Sequence, residues 1–229
     1  MLDQLAEIIQ GGNPLLVAGA GLVVGLVHAL EPDHLGAVST QVVRRPGSPR
    51  SGFAVMGALW GAGHTAAIVA VGFLVAWLSM DLGEGFFAGA ELAAALMLIG
   101  LGVLAAARRA PAVHVHPHRH GDVVHTHPHG HGGEHGHGHR FYLIGCLHGL
   151  AGSGGLVALA AASMQDPGEL VSFLGLFGAG SVLGMAAASG AIGIPLAAIS
   201  GAGHIYRYVR YAAAGLAVAV GAYMVYGLV

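Results

Sequence analysis

The sequence predicts an all-α integral membrane protein whose six transmembrane helices form two inverted three-helix repeats, each with a broken first helix. Of its 229 residues, 55% are hydrophobic and only 9% are charged, whereas a soluble domain carries about 25% charged residues. Apolar runs of about 20 residues, long enough to cross a bilayer, recur along the chain. Similar motifs also recur about 120 residues apart, which indicates an internal duplication.

Spans and connections alternate regularly. All nine basic residues are arginines, and they follow the first, third and fifth predicted spans, whereas the other two connections carry only acids. By the positive-inside rule the arginine-bearing connections are cytoplasmic. We therefore expect a multi-pass protein of a bacterial-type cytoplasmic membrane, with both termini outside and the long third connection inside. The predicted spans are Pro14–Val43, Gly52–Met80, Phe86–Ala107, Phe141–Ser163, Leu170–Ser200 and Arg210–Val229.

The two halves of the chain resemble each other. Gly25 to Leu30 matches Gly145 to Leu150, and Leu59 to His64 matches Leu176 to Ser181. Because each copy has an odd number of spans, the second copy would enter the membrane upside down, as in many transporters. The expected parts are an N-terminal repeat at 1–107, a cytoplasmic, disordered, histidine-rich loop at 108–140 and a C-terminal inverted repeat at 141–229.

The first helix of each repeat is expected to break inside the membrane. In the first copy the break falls at Glu31-Pro32-Asp33, since proline removes a backbone donor and clashes with the preceding turn. The second copy carries Gly152-Ser153-Gly154-Gly155 at the corresponding place. Irregular backbone at membrane depth is tolerated where it lines a cavity, so both breaks predict one shared cavity.

Ionisable residues within the spans gather around these breaks. They are His28, Glu31, Asp33, His34, His64 and His148. A charged side chain at the bilayer centre costs about 2.5–3.5 kcal/mol, so such residues mark functional sites. Imidazole with carboxylate suits a borderline divalent ion such as Ni²⁺, Co²⁺ or Zn²⁺. Two residues stay open: His148 as a ligand or as an interhelical hydrogen-bonding group, and Glu31 as a ligand, a proton carrier or an acid that solvates the kink.

Three motifs resemble those of the nickel/cobalt transporter (NiCoT) family. His28-Ala29-Leu30-Glu31-Pro32-Asp33-His34 is similar to its H-A-x-x-x-D-H signature, Gly63-His64-Thr65 to its second motif, and His148-Gly149 with the following glycines to a later one. With only six predicted spans the chain resembles the short branch related to urease accessory permeases. The resemblance implies a permease with His28, Asp33, His34 and His64 as the metal-binding core and with His148 and Glu31 as further candidates.

The expected function is secondary transport of Ni²⁺ or Co²⁺ by uptake, with no enzymatic activity and no resident cofactor. The chain contains no lysine and therefore no Walker P-loop. The alternative is efflux by proton exchange, and a third interpretation is the membrane subunit of an ATP-driven importer. Expected partners are the divalent ion, the lipid bilayer and an intracellular metallochaperone or nickel-enzyme maturation system. A net charge of −2 without a basic cluster gives no sign of nucleic-acid binding.

Eleven histidines lie between Arg108 and Arg140, many at alternating positions. Histidine, glycine and proline at this density predict a disordered segment that chelates metal without selectivity, as a reservoir or sensor. The rival class is an intramembrane serine hydrolase built on Ser153 and a membrane histidine. Neither the arginine pattern nor the duplication would follow from that alternative.

Overall fold

The computed structural model describes residues 14–45, 50–76, 83–107, 114–120, 123–129, 138–164, 166–199 and 203–228. These residues form seven helices and one β-hairpin. The helices are α1 (Pro14–His28), α2 (Pro32–Val42), α3 (Arg50–Ala76), α4 (Gly83–Ala107), α5 (Gly138–Ser163), α6 (Pro167–Ala198) and α7 (Gly203–Gly227), and the strands are β1 (His114–His120) and β2 (Val123–His129).

Most of the helices have the length and composition of membrane spans. Within the described residues four helices qualify on their own, and the number rises to five if the bent pair α1–α2 is one span. The four are Gly52–Leu74, Gly85–Ala107, Gly168–Ala198 and Gly203–Gly227. Large apolar side chains such as Leu15, Leu183 and Tyr226 point outward from α1, α6 and α7, as lipid contact requires. The chain is thus a multi-pass α-helical membrane protein, and the count of six spans stays a prediction.

The break predicted in the first span is present. Helices α1 and α2 are bent by 54° around the three residues that separate them. Glu31 caps α2 with an extended backbone (ψ 149°), and Pro32 occupies the first turn of that helix. A residue before proline is driven from the helical region into extended geometry, so Pro32 ends α1 and begins α2.

The break predicted in the second copy is wrong. Helix α5 continues without interruption from Gly138 to Ser163, through the glycine-rich stretch at 152–155. The physical reason is that glycine keeps its backbone donor and costs a helix only about 1 kcal/mol relative to alanine, whereas proline costs about 3 kcal/mol. Packing of the neighbouring helices can offset the smaller cost.

The histidine-rich segment, expected to be disordered, contains an antiparallel hairpin. His114, His116 and His118 of β1 register with His129, His127 and His125 of β2. Histidine alternates here with valine, proline or threonine, and such a period of two favours strands over helices. The remaining residues between 108 and 137 lie outside the described ranges.

Helix α3 is central and packs against both α5 and α6, while α1 packs on α6 and α4 on α7. Glycines allow the closest approaches. A Cβ at Gly145 of α5 would collide with the backbone carbonyl of Trp60 in α3, and one at Gly25 of α1 would collide with that of Phe177 in α6. The glycines therefore let α5 approach α3 and α1 approach α6 at backbone distance.

Candidate metal centre

Four buried histidines meet inside the bundle. His28 ends α1, while His34, His64 and His148 come from α2, α3 and α5. The ring centroids of neighbouring imidazoles lie 4.5–6.0 Å apart. All four side chains are buried, His34 and His64 completely. Four titratable groups thus share one small volume inside an apolar bundle.

The Asp33 carboxylate holds two of these imidazoles. Its Oδ1 lies 2.9 Å from His34 Nδ1 and 2.8 Å from the His34 backbone nitrogen, and its Oδ2 lies 2.9 Å from His148 Nε2. An ionised carboxylate only accepts hydrogen bonds, so each of these ring nitrogens donates its N–H. The opposite nitrogen of each neutral ring, His34 Nε2 and His148 Nδ1, then carries a free lone pair.

Glu31 holds the third imidazole from the edge of the site. Its Oε1 lies 3.0 Å from His28 Nδ1, and its side chain is half exposed. His28 Nε2 in turn lies 3.1 Å from His64 Nε2. Glu31 therefore fixes the orientation of a histidine, while its exposure gives the centre a link to the surface of the bundle.

Several buried ring nitrogens of these histidines have no protein partner in the described part of the chain. Among the described residues, no hydrogen-bonding group reaches His34 Nε2, His64 Nδ1 or His148 Nδ1. Buried polar atoms are nearly always paired, so orphaned lone pairs in one cluster indicate a missing ligand. Two sets have the spacing that one metal ion needs, with ligand atoms within 4.8 Å of one another: His28, His34 and His64, and Asp33, His34 and His148.

Two aromatic residues that the sequence did not single out lie against the centre. The Trp60 ring lies 5.5 Å from the His34 ring and 5.6 Å from the His148 ring. The Phe177 ring lies 5.3 Å from the His28 ring. Trp60 belongs to one apolar cluster and Phe177 to another, so the polar centre contacts both clusters. Trp60 lies four residues before His64, and residues four apart share one face of a helix. This spacing was the sequence signal that could have identified Trp60.

The structure thus brings together all the residues that the sequence singled out: His28, Asp33, His34 and His64, with His148 and Glu31. His148 bonds across helices, as one of its two interpretations had it, and Glu31 contacts His28. The side chain of Ser153, on which the hydrolase alternative rests, lies outside the described residues.

No protein-family model matches the chain, and no solved structure matches it significantly. One curated relative is the urease accessory protein UreH of Bacillus sp. (strain TB-90). The two chains are 28% identical over 188 residues, which cover 79% of this chain and 78% of the relative. Over most of its length the chain therefore resembles a urease accessory protein, as its membrane motifs predicted.

Proposed function

We propose that the chain is a secondary permease that carries Ni²⁺ or Co²⁺ across the cytoplasmic membrane through the histidine centre, in the direction of uptake. The observation that carries the proposal is that His28, His34 and His64 place ligand atoms within 4.8 Å of one another inside the helical bundle. Among the described residues, His34 Nε2 and His64 Nδ1 have no protein partner. Imidazole donors select borderline divalent ions over Mg²⁺ and Ca²⁺, which prefer oxygen. Zn²⁺ is compatible with the same donors.

In this proposal His28, His34 and His64 bind the ion, and Asp33 positions two imidazoles. Both Asp33 oxygens already accept hydrogen bonds, one from His34 and one from His148. A carboxylate behind a metal-binding histidine fixes the tautomer and raises the basicity of the ligand nitrogen. The two metal-compatible sets share His34, which therefore suits passing an ion from one set to the other.

We also infer that the two halves are inverted copies, with three spans each. Offsets of 120 and 117 residues pair Gly25 with Gly145 and Phe177 with Trp60. The contact of Gly25 with the Phe177 carbonyl thus corresponds to that of Gly145 with the Trp60 carbonyl. Matched contacts at matched positions support a duplication, and transporters with inverted repeats bind substrate where the repeats meet. Here that place is the histidine centre.

The driving force in this proposal is the membrane potential. Two positive charges that move inward gain about 4.6 kcal/mol per 100 mV, twice the value for one charge. The arginine pattern favours termini outside and the histidine-rich hairpin inside, where it would receive arriving ions. The resemblance to a urease accessory protein favours nickel and a link to the maturation of a nickel enzyme.

The test is metal flux into proteoliposomes that contain only this chain. We expect Ni²⁺ entry to follow an imposed voltage and to be lost in His34→Ala. His204→Ala is the matched control, because His204 is exposed and contacts Arg207 rather than the centre. Flux that requires a pH gradient and runs outward would replace uptake with proton exchange. Labelling of Ser153 by a serine-reactive probe, without metal flux, would reject the permease.

A further inference from the structure

A small cavity adjoins the histidine centre where four helices meet. Its volume is about 10 Å³, which matches the space that a single water needs. The residues that line it include Gln41 of α2, Gly57 and Trp60 of α3, Ile144 of α5 and Ser189 of α6. Gly57 is essential to this geometry, because a Cβ there would collide with Ser189 Oγ.

The cavity lies one helical turn from the histidine centre, in the same direction along each of three helices. Each of three helices carries a histidine of the centre and, three or four residues away, a residue of the cavity wall. The pairs are His34 with Ala37, His64 with Trp60 and His148 with Ile144. In all three helices the step leads towards the end of the bundle that carries Arg44, Arg45 and Arg140, here called the arginine end.

Three polar atoms of the cavity residues lack a protein partner. Among the described residues, no hydrogen-bonding group reaches Trp60 Nε1, Gln41 Nε2 or Ser189 Oγ. Ser189 is fully buried and Trp60 is 4% exposed. The indole N–H and the amide nitrogen only donate, whereas the hydroxyl donates and accepts. This set matches a water molecule, which accepts from the indole and from the amide nitrogen and donates to the hydroxyl.

We propose that Trp60, Gln41 and Ser189 form a hydration site at which the metal ion exchanges histidine ligands for water on its way to the arginine end. The inference rests on the proposed function. An ion leaving imidazole nitrogens needs replacement donors. The atoms of this site hold water rather than metal, since the indole and amide nitrogens have no lone pair to offer an ion. A water bound one turn from the ligands supplies the first oxygen as a histidine nitrogen leaves.

The test separates the rate of transport from the affinity of the centre. In proteoliposomes, Ser189→Ala should lower the maximal rate of Ni²⁺ flux about tenfold, while KM and the equilibrium Kd of the purified protein for Ni²⁺ stay unchanged. Trp60→Phe removes the indole N–H, another donor of the site, and keeps an aromatic ring, so it should act in the same direction. Combining both substitutions should add little, because they remove the same water.

Ser181→Ala is the matched control. Ser181 is also fully buried in α6 and its hydroxyl also lacks a partner in the described part of the chain, yet it does not line the cavity. The Ni²⁺ flux of the Ser181→Ala variant should equal that of the wild type. If Ser189→Ala and Trp60→Phe transport like the wild type, or if affinity falls in proportion to rate, the hydration site is wrong. If the wild type itself carries no metal, the proposed function fails and the hydration site fails with it.

Discussion

Asp33 of α2 lies 2.9 Å from His148 of α5, although 115 positions separate them in the sequence. The bond joins the two halves of the chain, and the second oxygen of the same carboxylate holds His34. Because Asp33 bonds both histidines, the orientation of His34 depends on the position of α5. A centre built this way forms only when both halves are assembled around it.

Asp33→Asn should weaken Ni²⁺ binding about 10- to 100-fold, as loss of a carboxylate behind a metal-binding histidine commonly does. An amide can accept from one imidazole but presents a donor to the other, so His34 or His148 must turn. Calorimetric titration of the purified protein measures the change. Glu169→Gln, which removes a carboxylate from the first turn of α6, is the control and should bind like the wild type. Equal affinities for both variants would mean that Asp33 has no positioning role.

Glu31→Gln should have a much smaller effect than Asp33→Asn in the same titration. Among the described residues, the Glu31 carboxylate pairs with His28 and is half exposed, and the amide oxygen of glutamine can still accept from His28 Nδ1. A loss as large as that of Asp33→Asn would instead assign Glu31 to the bound ion.

Pro32→Ala should abolish metal binding by allowing α1 and α2 to join. Alanine permits a helical conformation at Glu31, and in a straight helix His28 and Asp33, five residues apart, would not share a face. Pro195→Ala is the control, because it also removes a proline but from the interior of α6, away from the centre. Retained binding in Pro32→Ala, with Pro195→Ala unchanged, would show that tertiary packing rather than proline sets the bend.

The histidine centre could be predicted because its signal is energetic. An ionisable side chain inside the bilayer costs free energy whatever its orientation. His28, Asp33, His34 and His64 can therefore be identified from the sequence before the structure is known. The same holds for the break at Pro32, where the missing donor is a property of the residue itself.

The rest depends on neighbours that the sequence does not identify. The glycines at 152–155 weaken a helix, yet whether it breaks is decided by the packing around α5. Trp60 and Phe177 look like ordinary apolar residues of a span, and only the approach of α5 and α1 makes them walls of the centre. The alternating histidines of 114–129 carried a period of two, but their composition alone predicted disorder.

Gly145→Ala should destabilise the protein by about 1–3 kcal/mol through overpacking, because its Cβ would collide with the backbone carbonyl of Trp60. Gly215→Ala in α7 is the control, since a Cβ there meets nothing within 4 Å, and it should be neutral or gain up to about 1 kcal/mol. Thermal unfolding in detergent compares the two. Equal stabilities would mean that α3 and α5 can separate without cost.

Exchanging two neighbours in β1, by Val115→His with His116→Val, should reduce the number of Ni²⁺ ions bound per chain while leaving flux through the membrane unchanged. Position 116 registers with His127 in the hairpin, whereas position 115 registers with Pro128. The exchange keeps the composition and removes one histidine from a register pair of two histidines.

The same exchange at positions 136 and 137, by Gly136→His with His137→Gly, is the control beyond the described strands, and it should leave the stoichiometry as in the wild type. Identical titrations for both exchanges would mean that the segment chelates metal by composition alone, since a chelator without register is indifferent to the order of its residues. A loss confined to β1 would mean that the pairing of its strands creates the sites, and that the hairpin holds a defined number of ions beside a transport centre that does not need them.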